Sequence, residues 1–216
     1  QMDIAQQQAA VNASKNQSAH QIEVSRKAYP YVVAGRDVLE SSLCNINAMF
    51  HPPGIVLNAG WIEHTGGDFR FYYDGVTPAI GKVIRMVDEE RLAVAKAYGL
   101  ELDNFCTVLY NAGSTTKEAA EANDPYKACQ ESEANKFIKA PPSLDHRYMH
   151  EDIGSGLLPI AELGRLAGVP TPITDAHVTL SEAMMGRDYH AEGVNLEKMG
   201  LDGKTIEQVL DYVTRG

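Results

Sequence analysis

The sequence predicts an all-α protein that contains one short extended segment. Apolar residues recur at intervals of three and four along most of the chain, which is the spacing of amphipathic helices. Several of these runs begin at threonine and end at glycine, as helices do. Phe69, Phe71 and Tyr73 recur at every second position within residues 66–75, which glycines bound, and this predicts a short strand or extended loop there.

The first 28 residues are rich in Gln and Ala, and we expect a linker or the remnant of an N-terminal helix there. One helical domain should follow over residues 29–216. Its first amphipathic helix is predicted over residues 36–50, with Cys44 as inert packing on the apolar face. His51-Pro52-Pro53 should bend or end this helix, because a residue before proline is disfavoured in the α conformation. Residues 54–64 then predict a second helix.

The extended segment 66–75 carries Phe69, Phe71, Tyr72 and Tyr73, which either pack in the core or line a pocket. Aromatic residues in extended segments favour core packing. Thr77-Pro78 then predicts the start of the longest helix, with threonine as N-cap and proline in the first turn. Gly99 is expected to end that helix in a left-handed conformation.

The remaining helices are shorter. We expect helices over residues 103–112, 115–122 and 125–138, the second of them opened by a capping box of Thr115 and Glu118. Residues 156–169 predict a further helix that the GVPTP sequence ends. Two helices opened by threonine caps, over residues 174–187 and 205–213, complete the set.

Composition and charge exclude several classes of function. The net charge of -10 makes sequence-independent binding to nucleic acid unfavourable. No apolar run approaches the ~18 residues that a membrane-spanning helix needs. Three widely spaced cysteines without a CxxC motif do not fit a disulfide framework or a structural zinc site, and reduced thiols indicate a cytoplasmic protein. The usual glycine-rich nucleotide motifs and the HExxH and GxSxG motifs do not occur.

His51, in NINAMFH, lies four residues after Asn47, so the two share one face if the helix continues through both. A histidine beside a polar partner at a cleft suits general acid or base catalysis. The favoured alternative from the residues alone is that His51 caps the last carbonyls of its own helix.

Residues 144–152, LDHRYMHED, concentrate charge and permit three interpretations. His146 and His150 have the i, i+4 spacing of a zinc site, with Asp145, Glu151 or Asp152 as further ligands. Arg147 between them weakens that interpretation, and a solvated cluster of surface ion pairs is the favoured one. The third is an anion pocket in which the Arg147 guanidinium binds a carboxylate.

Three longer stretches, taken together, resemble the helical C-terminal domain of the opine dehydrogenases, such as octopine and nopaline dehydrogenases. They are LESSLCNINAMFHPPGIVLNAGWIE, GDFRFYYDGVTPAIGKVIRMVDEER and RYMHEDIGSGLLPIAELGRLAGVPTP. The resemblance extends from about residue 29 to residue 190, and the combination of NxxxHP, GDFxFYxxGxTP and RYMxED is specific.

The resemblance implies roles for individual residues. The family's catalytic histidine corresponds to His51, and the acid that pairs with it corresponds to Asp152. The arginine that binds the substrate carboxylate corresponds to Arg147, and Asn47 resembles the asparagine beside nicotinamide and substrate. His146, His150 and Glu151 then have no catalytic role, and no metal is expected.

The resemblance also implies a reaction, cofactors and partners. Opine dehydrogenases use NADH or NADPH to condense a 2-oxo acid, often pyruvate, reductively with the amine of an amino acid. Family members carry a Rossmann domain ahead of this region, and since no such domain is recognisable here, it is expected as a partner. A homodimer is compatible with apolar helical faces. The alternatives are a reductase of a small 2-oxo or 3-hydroxy acid, a metal-dependent hydrolase centred on His146 and His150, and a catalytically silent interaction domain.

Overall fold

A computed structural model of the chain describes residues 19–29 and 34–215, and the expectations for residues 1–18 and 30–33 lie outside this range. The predicted all-α class is confirmed. The described residues form α1 (residues 19–28), α2 (Val38–Leu43), α3 (Asn47–Val56), α4 (Ala59–Thr65), α5 (Pro78–Ala97), α6 (Phe105–Asn111), α7 (Lys117–Glu121), α8 (Pro125–Gln130), α9 (Arg147–Asp152), α10 (Leu158–Ala167), α11 (Pro172–Met185), α12 (Tyr189–Glu192) and α13 (Ile206–Arg215). A 3₁₀ turn (Glu133–Asn135) follows α8, and a π-helical segment (Ile153–Leu157) joins α9 to α10.

Helix α5 is the central element of the fold, and α2, α3, α8, α10 and α11 pack against it. Both of its predicted ends are confirmed. The Thr77 hydroxyl accepts a hydrogen bond from the Ile80 amide at 3.3 Å, and Pro78 is the first helical residue. Gly99 has a φ of 72°, which glycine adopts without steric cost. The sequence therefore determined the ends of this helix locally.

The prediction of one helix over residues 36–50, ended by the prolines, is wrong. The chain breaks after Leu43, and α3 then continues through Pro52 and Pro53. Each proline removes one backbone donor inside the helix. Both prolines are buried and α3 packs on α5 and α9, so tertiary contacts stabilise a helix that local preference disfavours. Cys44 lies in the break with an exposed side chain, so its expected packing role is also wrong.

The segment 66–75 is an irregular loop with a single antiparallel bridge, between Arg70 and Lys139. Phe69 and Phe71 lie in the core as expected. The Phe71 ring packs directly against Gly54, and a Cβ added to Gly54 would lie only 2.6 Å from that ring. Tyr72 is only partly buried and turns towards His51 of α3.

Three shorter helices differ from their predicted ends. Thr116, and not Thr115, caps α7, while the Thr115 hydroxyl donates to the Ala128 carbonyl. The helix predicted over residues 125–138 ends at Gln130 and is followed by the 3₁₀ turn. Helix α11 begins at Pro172 rather than Thr174, whose amide and hydroxyl donate to Glu90 of α5. The hydrogen bonds of Thr115 and Thr174 join separate segments, so local capping preference did not predict the starts of α7 and α11. The predicted Thr205 cap is confirmed at α13, where its hydroxyl accepts from the Gln208 amide.

Helix α9, the π-helical segment and α10 form one continuous helical stretch that packs against α3. A Cβ added to Gly156 would lie 2.6 Å from the Ala48 Cβ, so only glycine permits this approach. π-Helical insertions are frequent at functional sites, and this one directly follows Asp152. Among the residues that the structure describes, none of the helices combines the length and apolarity needed to cross a bilayer.

Candidate active site

His51 lies at the middle of α3, and its ring is directed into the protein. The residue is 5% exposed, and its Nδ1 is 2.8 Å from Oδ2 of Asp152. The alternative that His51 caps the last carbonyls of its own helix is therefore wrong, because the ring bonds a different helix. The two prolines that follow His51 do not end the helix, so the ring stays on its buried face.

Asp152 is the last residue of α9 and is 7% exposed. A carboxylate can only accept, so the hydrogen bond requires a proton on Nδ1 of His51. The neutral ring then presents its free lone pair on Nε2. A buried carboxylate bound to one ring nitrogen fixes the tautomer and stabilises the imidazolium that forms when Nε2 is protonated.

Tyr148 packs on one face of the imidazole ring. Its ring stacks on that of His51 with centroids 3.6 Å apart and planes inclined by 14°. Tyr148 and Asp152 are four residues apart on α9, so a single helical face provides both the stacking ring and the carboxylate. This role of Tyr148 was not predicted from the sequence, although the i, i+4 spacing of Tyr148 and Asp152 was an available signal.

Tyr72 approaches the free nitrogen of His51. Its hydroxyl lies 3.3 Å from Nε2 and is placed to donate to it. The Tyr72 ring stacks on Phe50 with centroids 4.4 Å apart. Burial, with a smaller contribution from Tyr148, raises the pKa of Tyr72 well above its usual value, so the hydroxyl stays protonated at neutral pH. The pocket alternative for this aromatic segment thus applies to Tyr72, while Phe69 and Phe71 belong to the core.

A cleft of about 200 Å³ opens beside His51. Asn47 and His51, which the sequence placed on one helical face, both line it. The cleft combines apolar and uncharged polar side chains, and its lining residues are Ile46, Asn47, Phe50, His51, Tyr72, Phe105, Leu109, Ser114 and Asn135. Ser114 and Asn135 come from loops distant in sequence, and no sequence signal pointed to them.

The outward face of α9 carries surface ion pairs. Arg147 has an exposed side chain and pairs with Glu151, also exposed, at 3.5 Å. His150 Nε2 pairs with Asp145 at 2.8 Å. The interpretation of LDHRYMHED as a cluster of surface ion pairs is therefore confirmed for this outward face, whereas Asp152 is buried and bound to His51. Arg147 is not among the residues that line the cleft, and its carboxylate-binding role stays a prediction.

The rings of His146 and His150 have separate partners. His146 is the N-cap of α9, where its Nδ1 accepts from the Tyr148 amide at 3.3 Å. Nδ1 of His150 lies 2.8 Å from the Tyr189 hydroxyl. Burial is the main cause that lowers the pKa of His146. Within residues 19–29 and 34–215, the one group of three potential metal ligands in close proximity is Glu182, Asp188 and His190, which are partly or fully exposed.

A model of a known protein family matches most of the chain. Residues 34–185 match the model described as "NAD/NADP octopine/nopaline dehydrogenase, alpha-helical domain". This range contains Asn47, His51, Arg147 and Asp152.

Curated relatives agree with this match. The opine dehydrogenase of Arthrobacter sp. (strain 1C) is 39% identical over 184 residues, which is 85% of this chain and 50% of that protein. Vitopine synthase of Allorhizobium ampelinum is 25% identical over 177 residues, 82% of this chain and 48% of the relative. Tauropine dehydrogenase of Arabella iricolor is 25% identical over 186 residues, 76% of this chain and 46% of the relative. The chain therefore spans about half the length of these curated relatives.

Solved structures share the fold. An octopine dehydrogenase in complex with NADH and agmatine superposes with a TM-score of 0.67 at 18% identity, covering 88% of this chain and 53% of that one. A second structure, an octopine dehydrogenase with NADH and L-arginine, gives a TM-score of 0.56 at 19% identity, covering 76% of this chain and 47% of that one. Together with the family match over residues 34–185, these similarities show that the chain belongs to the octopine/nopaline dehydrogenase family and corresponds to its α-helical domain.

Proposed function

We propose that this chain is the substrate-binding and catalytic domain of an NAD- or NADP-dependent opine dehydrogenase. The reaction would join a 2-oxo acid such as pyruvate to the amine of an amino acid, giving a secondary amine. The observation that carries the proposal is the buried His51–Asp152 pair beside a cleft that Asn47 also lines. Family membership and the names of the curated relatives support it.

His51 has the geometry of a single group that first donates and then accepts a proton. Condensation needs an acid at the oxygen of the 2-oxo acid and a base as water leaves to form the imine. In this proposal Nε2 exchanges that proton, while Asp152 keeps Nδ1 protonated and stabilises the imidazolium. The Tyr72 hydroxyl, 3.3 Å from Nε2, gives way to the substrate oxygen or passes the proton to it.

Asn47 and Arg147 are proposed to bind substrate. Asn47 lies one helical turn before His51 and offers both a donor and an acceptor at the cleft. The exposed Arg147 guanidinium would exchange the Glu151 carboxylate for that of the 2-oxo acid, since bidentate geometry favours arginine for this task. Its exposure leaves it free to face a second domain.

The described residues do not build a dinucleotide cradle of the usual kind, because none of them forms a strand leading into a glycine-rich turn and helix. We therefore propose that a Rossmann domain outside residues 29–216 holds the cofactor, which supplies a hydride when bound. Residues 1–28 would belong to the connection between the two domains. A homodimer is supported by exposed Leu180 and Met184 on α11, and a cytoplasmic location by three free cysteines.

The test is oxidation of NADH and NADPH by the complete polypeptide that contains this chain, with pyruvate and a panel of amino acids. Oxidation that needs both substrates, yields a secondary amine and collapses in His51→Ala would support the proposal. Oxidation with the 2-oxo acid alone would favour the simple reductase. If no substrate pair is turned over by a folded protein, the domain is an interaction module and the proposal fails.

A further inference from the structure

One short segment packs against the helix that carries Asp152, and it contacts that helix both before and after this residue. We propose that Tyr189 of α12 and His150 of α9 are positioning residues, which hold the Asp152 carboxylate against His51 without touching substrate. The contacts come from residues 189–194, which we call the α12 clamp. The inference rests on the proposed function, in which Asp152 keeps Nδ1 of His51 protonated.

The first contact of the α12 clamp is a hydrogen bond between two side chains. Tyr189 is buried, and its hydroxyl lies 2.8 Å from Nδ1 of His150. Nε2 of His150 lies 2.8 Å from the Asp145 carboxylate, which can only accept, so in the neutral ring the proton is on Nε2 and Nδ1 is the acceptor. Arg187 also donates to Nδ1, at 3.0 Å. Burial is the main cause that raises the pKa of Tyr189, so its hydroxyl keeps the proton that it donates.

The second contact is a backbone hydrogen bond to the π-helical segment that follows α9. The Leu158 amide donates to the Ile153 carbonyl, five residues back, and Pro159 has no amide proton. The Gly154 carbonyl therefore finds its donor outside the helix, in the Val194 amide at 2.8 Å. Because a buried carbonyl without a donor is costly, this bond stabilises the π-helical segment.

Glycine at two positions permits the α12 clamp to lie this close. A Cβ added to Gly193 would lie 2.5 Å from the Gly154 carbonyl oxygen, and a Cβ added to Gly154 would lie 3.3 Å from the Tyr189 ring. Gly193 has a φ of -79°, which any residue adopts, so close approach and not backbone conformation requires glycine there. The α12 clamp therefore packs directly on the π-helical segment.

The two contacts bracket Asp152. His150 comes two residues before Asp152, and Gly154 comes two residues after it. Residues two apart on a helix point to nearly opposite sides, so the α12 clamp holds one side of this stretch while the Asp152 carboxylate leaves from the other, towards His51. Rotation of the helix about its axis would draw the carboxylate away from the imidazole. The α12 clamp opposes that rotation and thereby fixes the distance between the carboxylate and Nδ1 of His51.

Removal of one hydroxyl tests the α12 clamp in the complete protein, with pyruvate and its best amino acid substrate. Tyr189→Phe should lower kcat about tenfold and leave both KM values unchanged, because a displaced catalytic group lowers the rate and not substrate binding. Tyr98→Phe is the matched control, since it removes a buried hydroxyl that donates to the Leu163 carbonyl at 3.0 Å, outside the lining of the cleft. It should shift the urea midpoint as Tyr189→Phe does and keep kcat. Equal kcat values in the two variants would overturn the inference.

Two substitutions of His150 separate its partners. Asparagine places an acceptor oxygen at the position of Nδ1, which the Tyr189 hydroxyl reaches, whereas the glutamine amide extends to the position of Nε2, beside Asp145. We expect His150→Asn to keep kcat within about twofold of the parent and His150→Gln to lower it about tenfold. The reverse order, or equal kcat values, would refute a positioning role through Tyr189.

Proton NMR of the complete protein provides a test that needs no turnover. The proton on Nδ1 of His51, in its bond to Asp152, gives a resonance far downfield, which His51→Gln identifies by its loss. Tyr189→Phe should move or broaden this resonance, and Tyr98→Phe should leave it unchanged. An unchanged resonance in Tyr189→Phe would contradict the inference whatever the reaction. If the resonance responds as expected but the parent protein consumes no amino acid, the proposed function fails and the α12 clamp stands.

Discussion

His51 and Asp152 are 101 residues apart in the sequence, and their side chains meet in a buried hydrogen bond of 2.8 Å. Helix α3 supplies the ring and α9 supplies the carboxylate, and the contact of Gly156 with Ala48 brings the two helical stretches together. The pair is thus a product of tight packing between the two helical stretches.

Asp152→Asn should lower kcat of the complete enzyme by about a hundredfold to ten-thousandfold, as in other histidine–carboxylate pairs. The amide has the same shape but lacks the charge that stabilises the imidazolium and fixes its tautomer. Steady-state kinetics with a 2-oxo acid and an amino acid measures the effect. Glu89→Gln, which removes an exposed carboxylate on α5, is the control and should keep kcat. An unchanged kcat in Asp152→Asn would contradict the assigned role.

Tyr148→Leu should reduce kcat more than it changes KM, because loss of the stacked ring lets the His51 imidazole rotate. It should also lower the free energy of unfolding by about 1 kcal/mol, the order of an aromatic pair. Tyr148→Phe keeps the ring and should preserve both quantities. Kinetics and urea unfolding are measured together, with the exposed Tyr110→Leu as control. If Tyr148→Phe lowered kcat and the free energy of unfolding as much as Tyr148→Leu, the hydroxyl of Tyr148 and not its ring would be the important group.

Arg91→Met should destabilise the chain by about 3–5 kcal/mol, as expected for removal of one partner of a buried ion pair. Arg91 is fully buried; its guanidinium binds Asp88 and also donates to the Leu43 and Asp103 carbonyls, which ties the end of α2 and the approach to α6 to α5. Urea unfolding measures the loss.

Arg85→Met is the matched control on the same helix. The exposed Arg85 side chain pairs with Glu89 at 3.6 Å. The substitution should therefore lower the free energy of unfolding by less than about 0.5 kcal/mol. Similar losses in the two variants would show that the buried network does not hold these segments together.

Because of His177, the free energy of unfolding should decrease at acidic pH. Burial lowers its pKa below 6.5, although the Ile173 carbonyl and Glu90 oppose the shift, and Nε2 has no hydrogen-bond partner among the described residues. The unfolded chain therefore binds more protons between the folded pKa and 6.5. Stability is complete above this window and falls as pH decreases through it, by at most about 1.4 kcal/mol per pH unit.

His177→Leu removes the titrating group and should flatten this part of the pH dependence of the free energy of unfolding. Urea titrations across the window measure the slope. His64→Gln removes an exposed histidine and should leave the slope unchanged. A slope in His177→Leu equal to that of the parent chain would assign the acid sensitivity to other groups.

Local chemistry explains what the sequence predicted well. Thr77-Pro78 and Gly99 begin and end α5 because capping and backbone preference act within a few residues. The wrong predictions share one physical cause. Pro52 and Pro53 stay helical and Thr174 lies inside α11 because contacts with distant residues outweigh local preference.

The candidate site likewise combines features that the sequence predicted with contacts that depend on tertiary packing. The sequence by itself determined the helical class, the common face of Asn47 and His51 and, through family resemblance, the pairing of His51 with Asp152. Only the tertiary structure decided that Tyr148 stacks on the imidazole, that Tyr72 faces Nε2, and that Ser114 and Asn135 complete an uncharged cleft. Helical periodicity relates residues within a few turns, whereas these contacts join separate segments that only packing brings together.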